Sequence, residues 1–264
     1  MNSEKEELVI NEQPAMGIIR LVMNRPDSFN ALSSEMLTAL DIALSTATND
    51  PTCRVIVLAA KGKAYCAGHD LREMRSNPDE HFYTKLFSQC SQMMMKIQSM
   101  DQPVVAEIQG IATAAGCQLV SMCDLAVASD TAQFAVSGIN YGLFCSTPSV
   151  GLSRSMHRKQ AMEMLLTGDF IDAHTAQLRG LINQVCPESE LQKVVLALCE
   201  KIKNKPEPAI RMGKSLFYKQ LEMGIQAAYQ LAGQTMSCNM MDESAQEGFQ
   251  AFLDKRKPQW SKSD

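Results

Sequence analysis

The fold is decided by residues 104–128, VVAEIQGIATAAGCQLVSMCDLAVA. This stretch begins with a run of strand length, Val104 to Ile108, that is apolar except for Glu107, and ends with a second apolar run, Leu125 to Ala128. Apolar runs of this length are typical of strands that are buried on both faces of a sheet. The residues between the runs have helical length, so the stretch predicts strand, turn, helix and strand in succession.

The same alternation precedes this stretch. Residues 17–23 predict a strand that ends at Asn24-Arg25-Pro26, and Ser33 or Ser34 is placed to cap a helix that runs to about Ala47. Val55 to Ala60 is another continuous apolar run. Strand and helix alternating at this spacing predict a mixed α/β fold.

The pattern changes near residue 190. Beyond it, residues 191–204, 206–223 and 244–257 predict helices, and no further strand signal follows. We therefore divide the chain into an α/β core, residues 1–190, and an all-helical region, residues 191–264.

Composition excludes several classes of protein. The chain has 264 residues, 45% of them apolar, and a formal net charge of −4 without a basic block, which argues against nucleic acid as a partner. The sequence contains no run of about 18 apolar residues, so no membrane span is predicted. The nine cysteines are scattered and never form Cys-x-x-Cys, so we expect reduced thiols and no metal site. The acidic start, residues 1–7, resembles neither a secretory signal nor an Arg-rich transit peptide. It predicts a cytoplasmic location, or the mitochondrial matrix if a presequence precedes this chain.

The first candidate for chemistry is the segment AYCAGHDLREM, residues 64–74. Small residues follow a buried strand, and a short helix is expected to begin near His69. Such a junction leaves backbone N–H groups unpaired and directed at one point, which suits a developing oxyanion. Taken alone, the segment is explained more simply by a tight strand–helix turn.

The second candidate is QGIATAAGCQL, residues 109–119. Its small side chains let a ligand approach the backbone closely. It matches neither the dinucleotide nor the phosphate loop pattern. Close packing of a helix on a sheet is the alternative explanation.

Together these segments resemble the crotonase (enoyl-CoA hydratase/isomerase) superfamily. The resemblance extends from about residue 8 to 261. It rests on Asn24-Arg25-Pro26 with Asn30-Ala31-Leu32, Ala67-Gly68-His69-Asp70-Leu71, Gly110 to Gln118 with Cys123-Asp124, Phe134, Gly142, and Phe252 to Pro258. It implies a crotonase-like ββα spiral core followed by a C-terminal helical trimerisation region.

The resemblance also implies a function. Members bind a CoA thioester whose carbonyl oxygen accepts hydrogen bonds from two backbone N–H groups. By position, the resemblance assigns these two groups to His69 and Ala115. The two glutamates of hydratases fall at Gln118 and Gly138, and neither residue can exchange a proton near neutral pH. The resemblance therefore implies a lyase or isomerase of the enoyl-CoA hydratase type with an atypical active site, acting in fatty acid metabolism.

Other groups could replace the missing carboxylates. The His69 side chain titrates in a useful range, but a bond to local backbone is the simpler expectation. Glu73 could face the pocket or the solvent. Ser146, after Cys145, occupies the loop where some relatives hold an aspartate, although turn chemistry before Pro148 explains it as well.

Coenzyme A enters as part of the substrate thioester, and no other cofactor is required. The resemblance assigns its contacts to residues around the entrance and to the terminal helix, any of which could instead be ordinary surface residues. These candidates are Arg25, Lys61 or Lys63, Ala67, His69, Arg72, Phe252, and Lys255 or Lys257. We expect a homo-trimer or a hexamer, because Leu191, Val194, Leu198, Phe217 and Leu221 require apolar partners.

Three functions remain open from the sequence. The first is a hydratase or isomerase of reduced or altered activity. The second is another acyl-CoA enzyme, such as a thioesterase or decarboxylase, that uses His69 or Ser146. The third is a catalytically silent binder that senses or buffers CoA esters.

Overall fold

The buried run Val55–Ala60 forms a strand with the bounds that the sequence predicts. In the computed structural model, which describes residues 7–260, it lies inside a six-stranded sheet. Residues 1–6 and 261–264 lie outside the described residues. The prediction about the acidic start of the chain therefore falls mostly on residues that the structure does not describe. The strands are β1 Val9–Ala15, β2 Ile18–Met23, β3 Val55–Ala60, β4 Ala64–Cys66, β5 Val104–Ile108, β6 Ile111–Thr113, β7 Leu125–Ser129, β8 Gln133–Ala135, β9 Ile171–Asp172 and β10 Gln184–Cys186.

Along the chain, helices alternate with these strands and continue after the last strand. They are α1 Ser34–Asn49, α2 Leu71–Ser76, α3 Glu80–Ser99, α4 Ala115–Met122, α5 Ser146–Ser155, α6 Arg158–Thr167, α7 Ala173–Leu178, α8 Leu191–Lys203, α9 Glu207–Leu221, α10 Ile225–Met240 and α11 Glu243–Leu253. The predicted cap of α1 is confirmed, because the Ser33 hydroxyl accepts the Met36 N–H at 3.2 Å. Helix α10 was not predicted, and the short helix expected near His69 begins at Leu71.

The large sheet has the order β1-β2-β3-β5-β7-β10. Strand β1 pairs antiparallel with β2, and every other pairing in this sheet is parallel. One face carries residues such as Leu21, Ile56 and Ala106 in the main core with α1, α3 and α4. The expected mixed α/β fold with strands buried on both faces is confirmed.

The opposite face of the sheet is covered by α8. Leu191, Val195 and Cys199 are buried against Val57 and Val105, and Val194 and Leu198 are partly buried beside them. This packing corrects part of the argument for oligomers, since the apolar residues of α8 find partners within the chain. The division at residue 190 itself stays a prediction.

Helix α9 is joined to the core by a buried ion pair. The Lys214 ammonium lies 2.7 Å from an Asp124 carboxylate oxygen, and both side chains are mostly buried. The Tyr218 hydroxyl donates to the other Asp124 oxygen at 2.8 Å, and the Val104 N–H donates to the same carboxylate. Asp124 thus holds α9 beside strand β5.

The cysteines are free thiols, as expected. Eight are buried, and Cys238 on α10 is exposed. Burial raises the pKa of Cys66, Cys90 and Cys117 to about 12.

Candidate active site

A second, four-stranded sheet brings the candidate segments together. Its order is β4-β6-β8-β9, and β4, β6 and β8 run parallel. Cys66 is paired with Ala112, which is paired with Phe134. The carboxyl ends of parallel strands share one edge of a sheet. The segments that follow these strands, 67–70, 114–118 and 136–138, therefore meet at this edge.

The two predicted amide donors lie on loops in direct contact. Gly68 has a φ of +92°, and a Cβ added to it would lie 3.3 Å from the Ala115 nitrogen and 2.8 Å from the Ala114 Cβ. Ala115 is the first residue of α4, so its N–H has no acceptor within the helix. Among the described residues, no backbone carbonyl accepts the His69 N–H.

Ala114 turns the chain between β6 and α4. Its φ of 51° and ψ of −121° form a backbone conformation that residues with a side chain rarely adopt. Its N–H donates to the Ala135 carbonyl at 3.0 Å, and its own carbonyl accepts the Gln118 N–H. This turn starts the helix immediately after the strand, beside Gly68.

The glycines of the second segment also serve close packing. A Cβ on Gly116 would lie 2.0 Å from the Cys66 carbonyl oxygen, and a Cβ on Gly110 would lie 2.2 Å from that of Lys63. Contacts this short are impossible for a side-chain carbon. The alternative interpretation from the sequence, close packing, is therefore correct for these two positions.

Neither position of the expected carboxylate pair carries an acid. Gln118 is 4% exposed, and its Oε1 atom is buried without a hydrogen-bond partner. Gly138 is enclosed by its own loop, where an added Cβ would lie 2.6 Å from the Leu143 carbonyl oxygen and 2.7 Å from the Cys145 Sγ. A side chain at position 138 would therefore require the loop to move.

The His69 side chain is bound to local backbone. Its Nδ1 lies 3.2 Å from the Leu32 carbonyl oxygen, and its ring packs against Phe87 with 5.3 Å between centroids. The Nε2 atom is buried without a partner. Burial lowers the pKa of the imidazole, against the opposing effects of the Leu32 bond and the Glu73 charge.

The remaining candidates for proton transfer have structural roles. The Glu73 carboxylate accepts a hydrogen bond from the Ser34 N–H at 3.0 Å, so it caps α1. This role differs from both alternatives that the sequence left open, a side chain facing the pocket and a side chain facing the solvent. Ser146 is exposed at the start of α5, and its hydroxyl donates to the Phe144 carbonyl at 3.3 Å. Burial raises the pKa of Cys145, which makes its thiol a poor nucleophile.

A hydroxyl pair in the same region was missed from the sequence. The Thr113 Oγ1 and Ser137 Oγ atoms lie 2.9 Å apart, and both residues are half-buried. Thr113 precedes Ala114, and Ser137 precedes Gly138. The two are 24 residues apart, and only the register of β6 with β8 brings them together.

The residues proposed to contact coenzyme A fall into two groups. Near the site, Arg25 donates to the Asp70 carboxylate at 2.7 Å with its side chain 32% exposed, while Arg72 is exposed. The Ala67 N–H is already used, because it donates to the Phe29 carbonyl. Lys61 and Lys63 are exposed on the loop before β4.

The second group lies at the other end of the chain. Phe252 on α11 is 80% exposed, and Lys255 and Lys257 follow it on the surface. Helix α11 packs against α10 within the chain.

Comparisons with known proteins show the family to which the chain is similar. The family model described as enoyl-CoA hydratase/isomerase matches residues 13–263. Human mitochondrial enoyl-CoA hydratase domain-containing protein 3 is 45% identical over 247 residues, covering 93% of this chain and 81% of that protein. The zebrafish (Danio rerio) protein of the same name is 42% identical, covering 100% and 91%.

Solved structures extend the likeness to three dimensions. An enoyl-CoA hydratase from Mycobacterium smegmatis has a TM-score of 0.95 at 54% identity, covering 97% of this chain and 100% of the other. The crystal structure of human enoyl-CoA hydratase domain-containing protein 3 has a TM-score of 0.92 at 42% identity, covering 96% and 100%. The fold class expected from the resemblance is confirmed.

Proposed function

The chain belongs to the enoyl-CoA hydratase/isomerase family, and from this premise we propose that it binds an acyl-CoA or enoyl-CoA thioester. The carbonyl oxygen of the thioester accepts hydrogen bonds from the backbone N–H groups of His69 and Ala115. Coenzyme A is part of this ligand, and no other cofactor is required.

One observation carries the proposal, the contact between Gly68 and the Ala115 nitrogen. In support, the N–H groups of His69 and Ala115 lie on adjoining segments, and neither has a backbone acceptor among the described residues. Such donors stabilise the negative charge that develops on a thioester oxygen when an enolate forms. Because the donors are backbone N–H groups, their partial charge does not depend on which side chains stand at positions 69 and 115.

The chemistry that follows binding differs from that of a two-glutamate hydratase. Gln118 and Gly138 supply no carboxylate, so these positions can neither activate a water molecule nor deliver a proton to the α-carbon. The protein therefore hydrates enoyl-CoA slowly. A nucleophilic thioesterase mechanism through Ser146 is disfavoured, because that hydroxyl is bonded to the Phe144 carbonyl.

The phosphates of coenzyme A are contacted by cations near the site and from the terminal helix. Arg72 is exposed on α2 and open to a phosphate, whereas Arg25 must share its guanidinium with Asp70. Lys255 or Lys257 of the terminal segment supplies a further cation, and Phe252 covers the acyl or pantetheine chain from a neighbouring subunit.

The protein assembles as a homo-trimer or a hexamer. Exposed apolar side chains continue along α9, α10 and α11, among them Phe217, Leu221, Tyr229, Met236, Phe249 and Phe252. Patches of this kind mark protein interfaces. Light scattering at micromolar concentration tests the assembly, and a species of only 29 kDa would contradict it.

The location we propose is the mitochondrial matrix, since the vertebrate relatives are described as mitochondrial. Within residues 7–260, no helix combines the length and the apolarity that a membrane span requires. Fractionation of cells that express the tagged full-length protein tests the location.

Calorimetry tests the binding site. Ala115→Pro removes the N–H at the first position of α4 and also distorts the start of the helix, because the strained Ala114 precedes it. Arg158→Pro is the matched control, because Arg158 is the exposed first residue of α6. We expect weaker binding of butyryl-CoA to Ala115→Pro alone. Unchanged affinity in a folded Ala115→Pro protein would contradict the site.

A panel of thioesters separates the possible reactions. Loss of enoyl absorbance reports hydration, and release of free thiol reports hydrolysis. Binding without turnover of any ester would identify a silent binder.

A further inference from the structure

The chain turns back on itself after the last helix. Helix α11 ends at Leu253, and Lys255 then has a left-handed φ of 54°. The Arg256 N–H donates to the Ala251 carbonyl at 3.0 Å, which is the hydrogen bond of a helix that ends in a left-handed residue. The turn sends residues 254–260, the terminal segment, back beside α11.

One carboxylate of α11 holds the terminal segment. The two Nη atoms of Arg256 donate to the two carboxylate oxygens of Glu247 at 2.6 and 2.8 Å. The backbone N–H of Gln259 donates to the same carboxylate at 2.7 Å. Paired hydrogen bonds between a guanidinium and a carboxylate fix orientation as well as distance. These bonds, those of Arg256 first, lower the pKa of Glu247 to about 2, so the carboxylate is charged at physiological pH.

The end of the terminal segment lies on α11 beside this carboxylate. The ring of Trp260 is so close to Gly248 that a Cβ added there would be 3.0 Å from the ring atom Cη2. Trp260 is half-buried and lines an apolar cavity of about 470 Å³ together with Phe249 and Phe252. It is the single tryptophan of the chain, so its fluorescence reports directly on whether the segment is seated.

Two free cations lie within the part of the chain that is held. Lys255 and Lys257 flank Arg256, and both are exposed. Arg256 is paired with Glu247 and Asp254, whereas neither lysine has an ion-pair partner among residues 7–260. Holding the backbone on both sides of a lysine reduces the conformational entropy that its ligand would otherwise have to overcome.

We propose that Glu247 is a positioning residue that holds Lys255 and Lys257 where they bind the phosphates of coenzyme A. The inference rests on the proposed function, which assigns a cation of the terminal segment to those phosphates. Glu247 does not touch the ligand, because its negative charge would repel a phosphate and is already neutralised by Arg256. It acts through the segment that it holds, so its loss should leave the thioester end of the site unchanged.

Fluorescence of Trp260 tests whether Glu247 holds the segment. In Glu247→Gln the amide has one acceptor atom and no charge, so it cannot accept both guanidinium hydrogen bonds. We expect emission at longer wavelength and faster quenching by acrylamide. Glu207→Gln is the matched control, because it breaks an exposed pair with Arg211 on α9 that holds no returning segment. Unchanged emission in Glu247→Gln would overturn the proposal.

Calorimetry with two esters tests the effect on binding. Butyryl-pantetheine has the same thioester as butyryl-CoA but lacks the nucleotide and its phosphates. Glu247→Gln should weaken butyryl-CoA by roughly five- to tenfold, the cost of ordering one or two long side chains. Its affinity for butyryl-pantetheine should not change, whereas a general loss of structure would weaken both esters. Glu207→Gln should affect neither, and light scattering confirms that the proteins compared have the same mass.

A double-mutant cycle tests whether Glu247 acts through the lysines. The paired change Lys255→Met with Lys257→Met removes both cations and should itself weaken butyryl-CoA. Adding Glu247→Gln to that protein should then have no further effect on affinity, because the groups that Glu247 positions are gone. Losses that multiply independently would contradict a role through these lysines.

The failures are distinguishable. If the wild-type protein binds neither ester, the proposed function is wrong, and this inference falls with it. If both esters bind but removal of the two lysines leaves the affinity for butyryl-CoA unchanged, the positioning role is wrong while thioester binding stands. Equal weakening of both esters by Glu247→Gln would lead to the same conclusion.

Discussion

The Cys66 carbonyl oxygen lies so close to Gly116 that a Cβ at position 116 would be 2.0 Å away from it. This contact places the first turn of α4 directly against the end of β4. Since Ala115 precedes Gly116 and His69 follows Cys66 by three residues, the contact also sets the distance between the two proposed donors.

Gly116→Ala should therefore destabilise the protein. The obstacle is backbone, which cannot rotate away, so we expect a loss at the upper end of overpacking effects, about 3 kcal/mol. Urea unfolding followed by circular dichroism measures it. Gly213→Ala, in α9 with no atom within 4 Å of the added carbon, should instead stabilise by about 0.5–1 kcal/mol. Equal effects of the two changes would contradict this account.

Ala114→Gly should stabilise the protein. The φ of 51° and ψ of −121° at Ala114 are accessible to glycine without steric cost, and relief of this strain is worth about 1 kcal/mol or more. The control Ala232→Gly lies within α10 and should cost about 1 kcal/mol. A loss of stability in Ala114→Gly would show that the turn is not strained.

Hydration of crotonyl-CoA should be slow. Each general acid or base group normally contributes roughly 10²–10⁴-fold to the rate. Gln118→Glu restores one group and should help little, because the pair acts as a unit. The assay follows the loss of enoyl absorbance in protein that binds the thioester. A wild-type rate equal to that of a two-glutamate hydratase would show that another group carries the protons.

The second carboxylate cannot be added simply. Gly138→Glu would place its Cβ 2.6 Å from the Leu143 carbonyl oxygen, so we expect it to lose stability or to shift the loop from Ser137 to Cys145. Thermal unfolding of Gly138→Ala tests this clash without introducing a charge. A melting temperature equal to that of the wild type would leave room for the glutamate.

The stability of the fold should depend on pH through His69. Its pKa is lowered in the folded state, chiefly by burial, and the unfolded chain has the ordinary value of 6.5. Between these values the unfolded chain binds more protons, so folding stability falls as pH decreases below 6.5. Above that pH the contribution is fully present. Urea unfolding at pH 5 and pH 7.5 should show a smaller pH effect in His69→Asn than in wild type.

The sequence predicted those elements whose signal is local. Strand β3 has its predicted bounds because an apolar run between polar residues is visible without any partner. Helix α10 was missed because it has no apolar stripe facing the core: Ala228 is buried on it, whereas Tyr229 and Met236 are exposed. The last helix ends at Leu253, earlier than predicted, and Lys255 has a positive φ of 54°.

The candidate site was predicted from short segments, and its details depend on contacts between distant parts of the chain. The family resemblance that the two small-residue segments carry was enough to suggest His69 and Ala115. The Thr113–Ser137 pair requires the register of β6 with β8, and the enclosure of Gly138 requires the path of the following loop. The cap that Glu73 provides to α1 depends on a residue 39 positions away.

The burial of the cysteines means that thiol labelling can be used to measure opening of the folded core. Eight thiols are enclosed in the folded core, while Cys238 is exposed on α10. A thiol-specific dye added to the native protein will attach at Cys238, and the remaining sites will become reactive only when the core opens. The rate at which further dye is incorporated will therefore report opening of the core directly. A fluorophore on Cys238 will, in the same experiment, sense contact between the exposed surface of α10 and another molecule.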